Sequence, residues 1–117
     1  MRCPKKTVFS RVLNAVDGQV LEGLLLRWQD QLLGPVQDRV VIVDGKKMRH
    51  GGVEMVNAVS GSGRFLGGII TADKSNEIPA ARVVLRQLDL VGKTVLVDAL
   101  HTNVETARQI LYEQGGD

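Results

Sequence analysis

Apolar positions follow two different patterns along this chain, and the change between them marks its organisation. Over the first third, Leu21, Leu24, Leu25, Trp28 and Leu32 recur at spacings of three and four, which puts them on one face of a helix. Asp17-Gly18 offers an N-cap and a turn ahead of them, and Gly34-Pro35 stops the run. A shorter helix is predicted before it, around Val8 to Val16, with Arg11 and Asn14 on its polar side. The apolar stripe of the second helix is expected to pack on something. Two helices joined by Asp17-Gly18, with Lys5, Lys6 and Arg11 nearby, also suit a DNA-reading helix-turn-helix. A packing hairpin is the commoner use of such a pair, and nothing marks a recognition helix.

Further on, two unbroken apolar runs each end at an aspartate: Val40-Val41-Ile42-Val43-Asp44 and Thr94-Val95-Leu96-Val97-Asp98. Runs of this kind, without polar alternation, predict strands buried on both faces. Between them, Val53 to Ser60 and Arg64 to Thr71 read as two strands around Gly61-Ser62-Gly63, a loop of hairpin length. Ser75 or Asn76 can then cap a helix that carries Glu77 in its first turn and Pro79 early, where a missing amide proton costs least. Ala81, Val84, Leu85 and Leu88 give that helix its buried stripe, and it is expected to end near Gly92. A last helix is predicted from about Asn103 to Gln114. The order is helix, helix, strand, strand, strand, helix, strand, helix, divided into a helical segment (1–37) and an α/β domain (38–117).

Composition narrows the setting. With 117 residues, 44% hydrophobic and 24% charged, the chain can fold and bury a core, although it is short for an α/β enzyme. No stretch approaches the roughly twenty apolar residues of a membrane span, and Met1-Arg2-Cys3-Pro4-Lys5-Lys6 leads into no apolar signal core. A cytoplasmic location and no membrane partner are expected. Cys3 is the only cysteine, so no internal disulfide forms. A net charge of +2 does not announce nucleic-acid binding, which must therefore be argued from local patches. Gly92-Lys93-Thr94 mimics the end of a phosphate-binding loop, but Gln87 stands where the earlier glycine is needed and a strand follows, which excludes nucleotide binding there.

The two aspartates carry the candidate chemistry. In open sheets with helical crossovers, ligands gather at the carboxyl ends of strands. Two neighbouring strands of this kind would set two carboxylates side by side, an arrangement that persists if a cation lies between them or one is protonated. The plainer alternative is two unrelated turn-forming aspartates. The element order fits the start of a ribonuclease H-like fold: an α/β protein with an incomplete mixed sheet, a three-strand meander plus a parallel fourth strand, and an N-terminal helical hairpin. A flavodoxin-like or receiver-like module would also use a strand-end aspartate, but needs a helix where the hairpin is predicted.

Longer strings sharpen this picture. Val-Asp-Gly-Lys at 43–46 with Arg49, Val-Asn-Ala-Val-Ser at 56–60, Lys-Ser-Asn-Glu-Ile at 74–78 and Val-Asp-Ala-Leu-His-Thr at 97–102 follow in order. Together they resemble insertion-sequence transposases of the H-repeat-associated group, over nearly the whole chain. The resemblance implies metal-dependent DNA cleavage and strand transfer by an acidic triad that binds two divalent ions, Mg²⁺ or Mn²⁺. Asp44 would match the first acid and Asp98 the second, both catalytic and metal-binding. The third lies further downstream in the family than this chain reaches, so an internal piece is expected, either trimmed or from a decayed element, and inactive by itself. Lys46, Arg49, Lys74, Asn76, Glu77 and His101 are candidates for contacting DNA or supporting the metal ligands. Lys47 and His50 share that basic stretch, which is equally a solvated turn. The implied partners are DNA, as transposon ends and target, with a homo-oligomer of the chain left as an open alternative. A non-catalytic remnant that folds and binds DNA weakly is the other reading.

Overall fold

The computed structural model describes residues 2–47, 49, 54–71, 77–99 and 101–117. They divide into two compact units, Met1–Pro35 and Val36–Asp117. The first holds α1 (Lys6–Ala15) and α2 (Gly18–Leu33). Asp17 caps α2 as its residue type predicts, its carboxylate accepting from the amides of Gln19 at 2.9 Å and Val20 at 3.2 Å. Gly34, at φ 73°, takes the left-handed conformation that ends the helix. The expected packing differs. The two helices share few close backbone approaches and bury no residue, so they are consecutive helices rather than a packed hairpin. The stripe of Leu24, Leu25, Trp28 and Leu32 is at least half exposed, because two short helices have too little surface to cover it.

The second unit is a four-stranded mixed sheet with helices. β1 (Val40–Lys47), β2 (Glu54–Ser60) and β3 (Phe65–Thr71) form an antiparallel meander, and β4 (Thr94–Val97) lies parallel to β1, giving the order β3-β2-β1-β4. The connection through α3 (Glu77–Arg86) supplies the crossover that a parallel neighbour requires. The β2–β3 hairpin stands where a flavodoxin-like module would carry a helix. Beyond β4, the Asp117 amide donates to the Lys93 carbonyl at 2.8 Å and its carbonyl accepts from the Val95 amide at 2.7 Å, the pattern of a parallel bridge on the outer edge. No helix among the described residues is long and apolar enough to cross a membrane.

One face of the sheet makes the core. Val41, Val43, Val56 and Ala58 pack with Ala80, Ala81, Val84 and Leu85 of α3, with Leu90, and with Ile110 after α4 (Val104–Arg108). The opposite face stays open: Ile42 and Val59 are half-buried, while Leu96 and Ile70 are 50% and 68% exposed. The apolar runs therefore do not signal strands buried on both faces. Burial alternates along β1 and β4 as in a sheet covered on one side.

Two helix ends also differ from expectation. α3 stops at Arg86, well before Gly92, because Asp89 Oδ1 accepts the Val91 amide at 3.2 Å and favours a turn. The carbonyls of Leu85 and Leu88 accept from Gln114 Nε2 at 2.7 and 3.2 Å, the first also from the Leu88 amide at 3.1 Å. The last helix begins on the Asn103 cap, whose side chain accepts the Thr106 amide at 2.9 Å, but widens into a π-helical stretch at Gln109–Glu113. The buried Gln109 side chain accompanies that widening, donating to the Arg82 carbonyl and to Gln114 Oε1, each at 2.9 Å.

At the other end of the sheet, the β2–β3 turn is tied to the entry of β1. The Ser62 amide donates to Asp38 Oδ2 at 3.1 Å and the Ser62 hydroxyl donates to the same oxygen; Ser60 Oγ lies 3.0 Å from Ser62 Oγ. The Ser62 hydroxyl, then Ser60 and the Ser62 amide, hold the Asp38 carboxyl below the usual carboxylate range. The folded state therefore binds that proton less readily than the unfolded chain. Its stabilisation is present above the ordinary carboxylate pKa of about 3.9 and is lost as pH falls through the lower folded value. Asp38→Asn is expected to flatten the acid limb of stability against pH, measured by urea unfolding from neutral pH downward.

Candidate active site

The parallel ladder pairs Val40 with Thr94, Val41 with Val95, Ile42 with Leu96 and Val43 with Val97. The next residues are Asp44 and Asp98, so each aspartate directly follows the last paired residues of two strands about 4.8 Å apart. Asp44 does not end its strand. β1 runs on to Lys47 against β2, with Asp44 opposite Asn57 and Lys46 opposite Met55. The antiparallel partner outlasts the parallel one, and this holds Gly45, Lys46 and Lys47 extended despite their modest strand preference. Asp44 alternates with the buried Val41 and Val43 and so faces the open side, where it is exposed. Lys46 follows on that face, about 7 Å along the strand.

Asp98 is held differently, at the start of a turn. Its Oδ1 accepts the His101 amide at 3.1 Å, and its carbonyl accepts the Thr102 amide at 3.1 Å and the Thr102 hydroxyl at 2.8 Å. His101 is fully buried, with Nε2 at 3.9 Å from Asp98 Oδ1, while the Asp98 side chain is half exposed. A groove of ≈ 250 Å³ lies beside this turn, lined by Val95, Val97, His101, Thr106 and Ile110. It is mainly apolar and does not include Asp44, so it is not where a phosphate would sit.

Of the predicted site residues, Asp44, Asp98, Lys46 and His101 come to one end of the β1–β4 pair. Arg49 is exposed beyond β1. Lys74, Asn76 and His50 lie outside the described residues; the backbone of Glu77 opens α3, and its side chain is likewise outside them. Asn57, in register with Asp44, belongs to the same neighbourhood, although the sequence marks it only as part of the Val-Asn-Ala-Val-Ser string. Its signal was local: a polar residue at an alternate position of an otherwise apolar strand. Among the described residues, no three of His, Cys, Asp and Glu cluster as a metal site.

A family profile described as the transposase DDE domain matches residues 11–117. The chain belongs to this family. It is 28% identical over 123 residues to "H repeat-associated putative transposase YhhI" of Escherichia coli (strain K12), covering 97% of this chain and 32% of that protein. It is 28% identical over 116 residues to "Putative transposase YncI" of Escherichia coli O157:H7, covering 92% and 30%. An "Uncharacterized protein in dhlA 3'region" of Xanthobacter autotrophicus is 34% identical over 124 residues, covering 97% and 41%. The chain thus spans about a third of the length of these transposase-named relatives.

Transposase DDE domains generally use divalent metal ions, and the donors at this site suit that chemistry. Asp44 and Asp98 offer hard carboxylate oxygens, and Mg²⁺ takes one or two protein carboxylates while keeping several waters. The Asp98 turn is the more easily disturbed half. Asp98→Ala removes the acceptor of the His101 amide and is expected to cost about 1 kcal/mol in denaturant unfolding, whereas Asp98→Asn, which keeps an acceptor oxygen, costs less.

Proposed function

We propose that this chain is part of the catalytic domain of an insertion-sequence transposase, with Asp44 and Asp98 as two of its metal-binding carboxylates. The parent protein would cleave DNA at transposon ends and transfer the freed 3′-hydroxyl into target DNA. The single observation that carries the reading is the parallel register that ends at Val43–Val97, immediately before the two aspartates, in a chain of this family. A ribonuclease H-like fold is supported by the strand order β3-β2-β1-β4 and by the parallel bridge that Asp117 makes on the free side of β4.

Asp44 and Asp98 would hold Mg²⁺ or Mn²⁺. Divalent ions bound there would stabilise charge on the phosphate oxygens and lower the pKa of an attacking water. The protein's own share of the work is positioning. Asp44 is fixed by the β1–β2 ladder, one residue past the end of the pairing with β4, and Asp98 by its turn over the buried His101. Lys46, on the same face as Asp44, is placed to meet a DNA phosphate, as is the exposed Arg49 if the nucleic acid extends past the end of β1. Lys74, Asn76 and Glu77 stay proposed as DNA-contacting or supporting residues on the strength of the family resemblance alone.

A second reading is favoured by one observation: no third acid joins the pair among the described residues. On that reading the chain folds and binds metal or DNA only weakly, without cleaving. Both readings are addressed by titrating the ¹⁵N-labelled chain with Mn²⁺. Paramagnetic broadening is expected to centre on Asp44, Asp98 and their neighbours and to vanish in Asp44→Asn. Broadening elsewhere, or none, would refute the assignment of these two ligands. In the longer parent protein, Asp44→Asn should abolish nicking of terminal repeats, and undiminished nicking would overturn the catalytic role.

A further inference from the structure

The two aspartates are supported unequally. The Asp98 carboxylate is oriented by the His101 amide, whereas among the described residues no donor bonds the Asp44 carboxylate, which is exposed on the open face. A carboxylate that ligates a divalent ion is usually hydrogen-bonded in turn, because a side chain left free to rotate gives up that freedom on binding. The register shows what lies within reach. Asn57 of β2 is the cross-strand partner of Asp44, and paired residues of an antiparallel ladder project from the same face with Cβ atoms about 4.5–5.5 Å apart. On that face β2 otherwise presents Met55 and Val59, so Asn57 is its polar member and stands opposite the aspartate. The direction of the Asn57 amide is also defined. An added Cβ at Gly68 of β3 would collide with Asn57 Oδ1, while Asn57 Cγ lies 3.5 Å from that point, so the Cγ–Oδ1 bond points toward β3. In a planar amide the NH2 group then leaves Cγ on the other side, the side of β1 and Asp44.

Resting on the proposed metal-binding role of Asp44, we infer that Asn57 is a positioning residue for that ligand: its NH2 group donates to one carboxylate oxygen of Asp44 and leaves the other turned to a divalent ion. A neutral donor suits this task. A cationic side chain at the same place would compete with the ion for the carboxylate and an anionic one would repel it, whereas an amide hydrogen-bonds to charge without adding any. Gly68 makes room for the amide oxygen, so the orientation of the amide depends on both strands beside β1. Asn57 touches neither the ion nor DNA in this role, and Lys46 and Arg49 remain the phosphate contacts.

The test measures Mn²⁺ affinity of the ¹⁵N-labelled 117-residue chain from the concentration dependence of paramagnetic broadening, alongside urea unfolding. Asn57→Val and Asn57→Thr are alike in shape and both suit a strand, but the first removes the donor and the second keeps one. Asn57→Val is expected to weaken Mn²⁺ about tenfold, the low end for losing a group that orients a metal ligand, and Asn57→Thr to recover part of that loss. Gly68→Ala, which displaces the amide, should weaken Mn²⁺ in the wild-type background and change nothing further in Asn57→Val. A residue needed only for folding would shift the urea midpoint and leave the two Asn57 variants equal in Mn²⁺ affinity. That equality, or an affinity of Asn57→Val matching wild type, would overturn the inference. If broadening centred on Asp44 then still vanishes in Asp44→Asn, the ligand stands and Asn57 alone loses its role. Absence of broadening at Asp44 in the wild-type chain would overturn both.

Discussion

The parallel pairing of Val40–Val43 with Thr94–Val97 is the contact on which the second unit depends. It joins segments far apart in the chain, so its loop-closure cost falls on the whole hairpin-and-helix excursion between them. What offsets that cost is the apolar face the pairing completes, where Val41 and Val43 meet Val56, Ala58, Val84 and Leu85 with almost no residual exposure. The same pairing sets the register of the two aspartates. A slip of one residue would turn the buried valines outward and carry Asp44 to the covered face. Stability and site geometry therefore share one constraint.

Around that constraint the polar groups are divided between two tasks. At the far end of the sheet, Asp38, Ser60 and Ser62 satisfy one another and tie the β2–β3 turn to the start of β1. Under the helices, the Gln109 and Gln114 side chains donate to carbonyls of α3 and its following turn, tying the π-helical stretch to that helix. The surface ion pair between Arg82 and Glu105 adds little beside these, because Glu105 is 73% exposed. Asp44, in contrast, is exposed on the open face, where a charged partner from outside the chain can reach it.

Much of the second unit was legible in the sequence, because its signals are local. The apolar runs at 40–43 and 94–97, the Gly61-Ser62-Gly63 loop and the Asn103 cap each declare an element within a few residues. The extension of β1 to Lys47 was not legible, since Gly45, Lys46 and Lys47 become strand only through pairing with Glu54–Val56. The early end of α3 and the π-helical stretch escaped for a related reason: Leu88 continues the apolar stripe, and only tertiary bonds from Gln109 and Gln114 show where the helices yield. Adjacency of Asp44 and Asp98 followed from topology alone. The pairing of Asn57 with Asp44 did not, because cross-strand neighbours depend on registers that no local pattern prints. The apolar stripe of α2 is legible as a helix face but its exposure is not, as a periodic pattern shows which side is apolar and not whether anything covers it.

β1 is served by two ladders of unequal length, and this makes the pair of carboxylates mechanically unequal. Asp44 rides on a strand clamped beyond it as far as Lys47, while Asp98 stands where β4 has already given way to a turn. One jaw is fixed and the other is hinged on His101 and Thr102. Any insertion, deletion or repacking between Asp98 and the Asn103 cap would re-aim the second carboxylate while leaving the first in place. The gap between them is thus adjustable by a short loop, independently of the sheet that carries it.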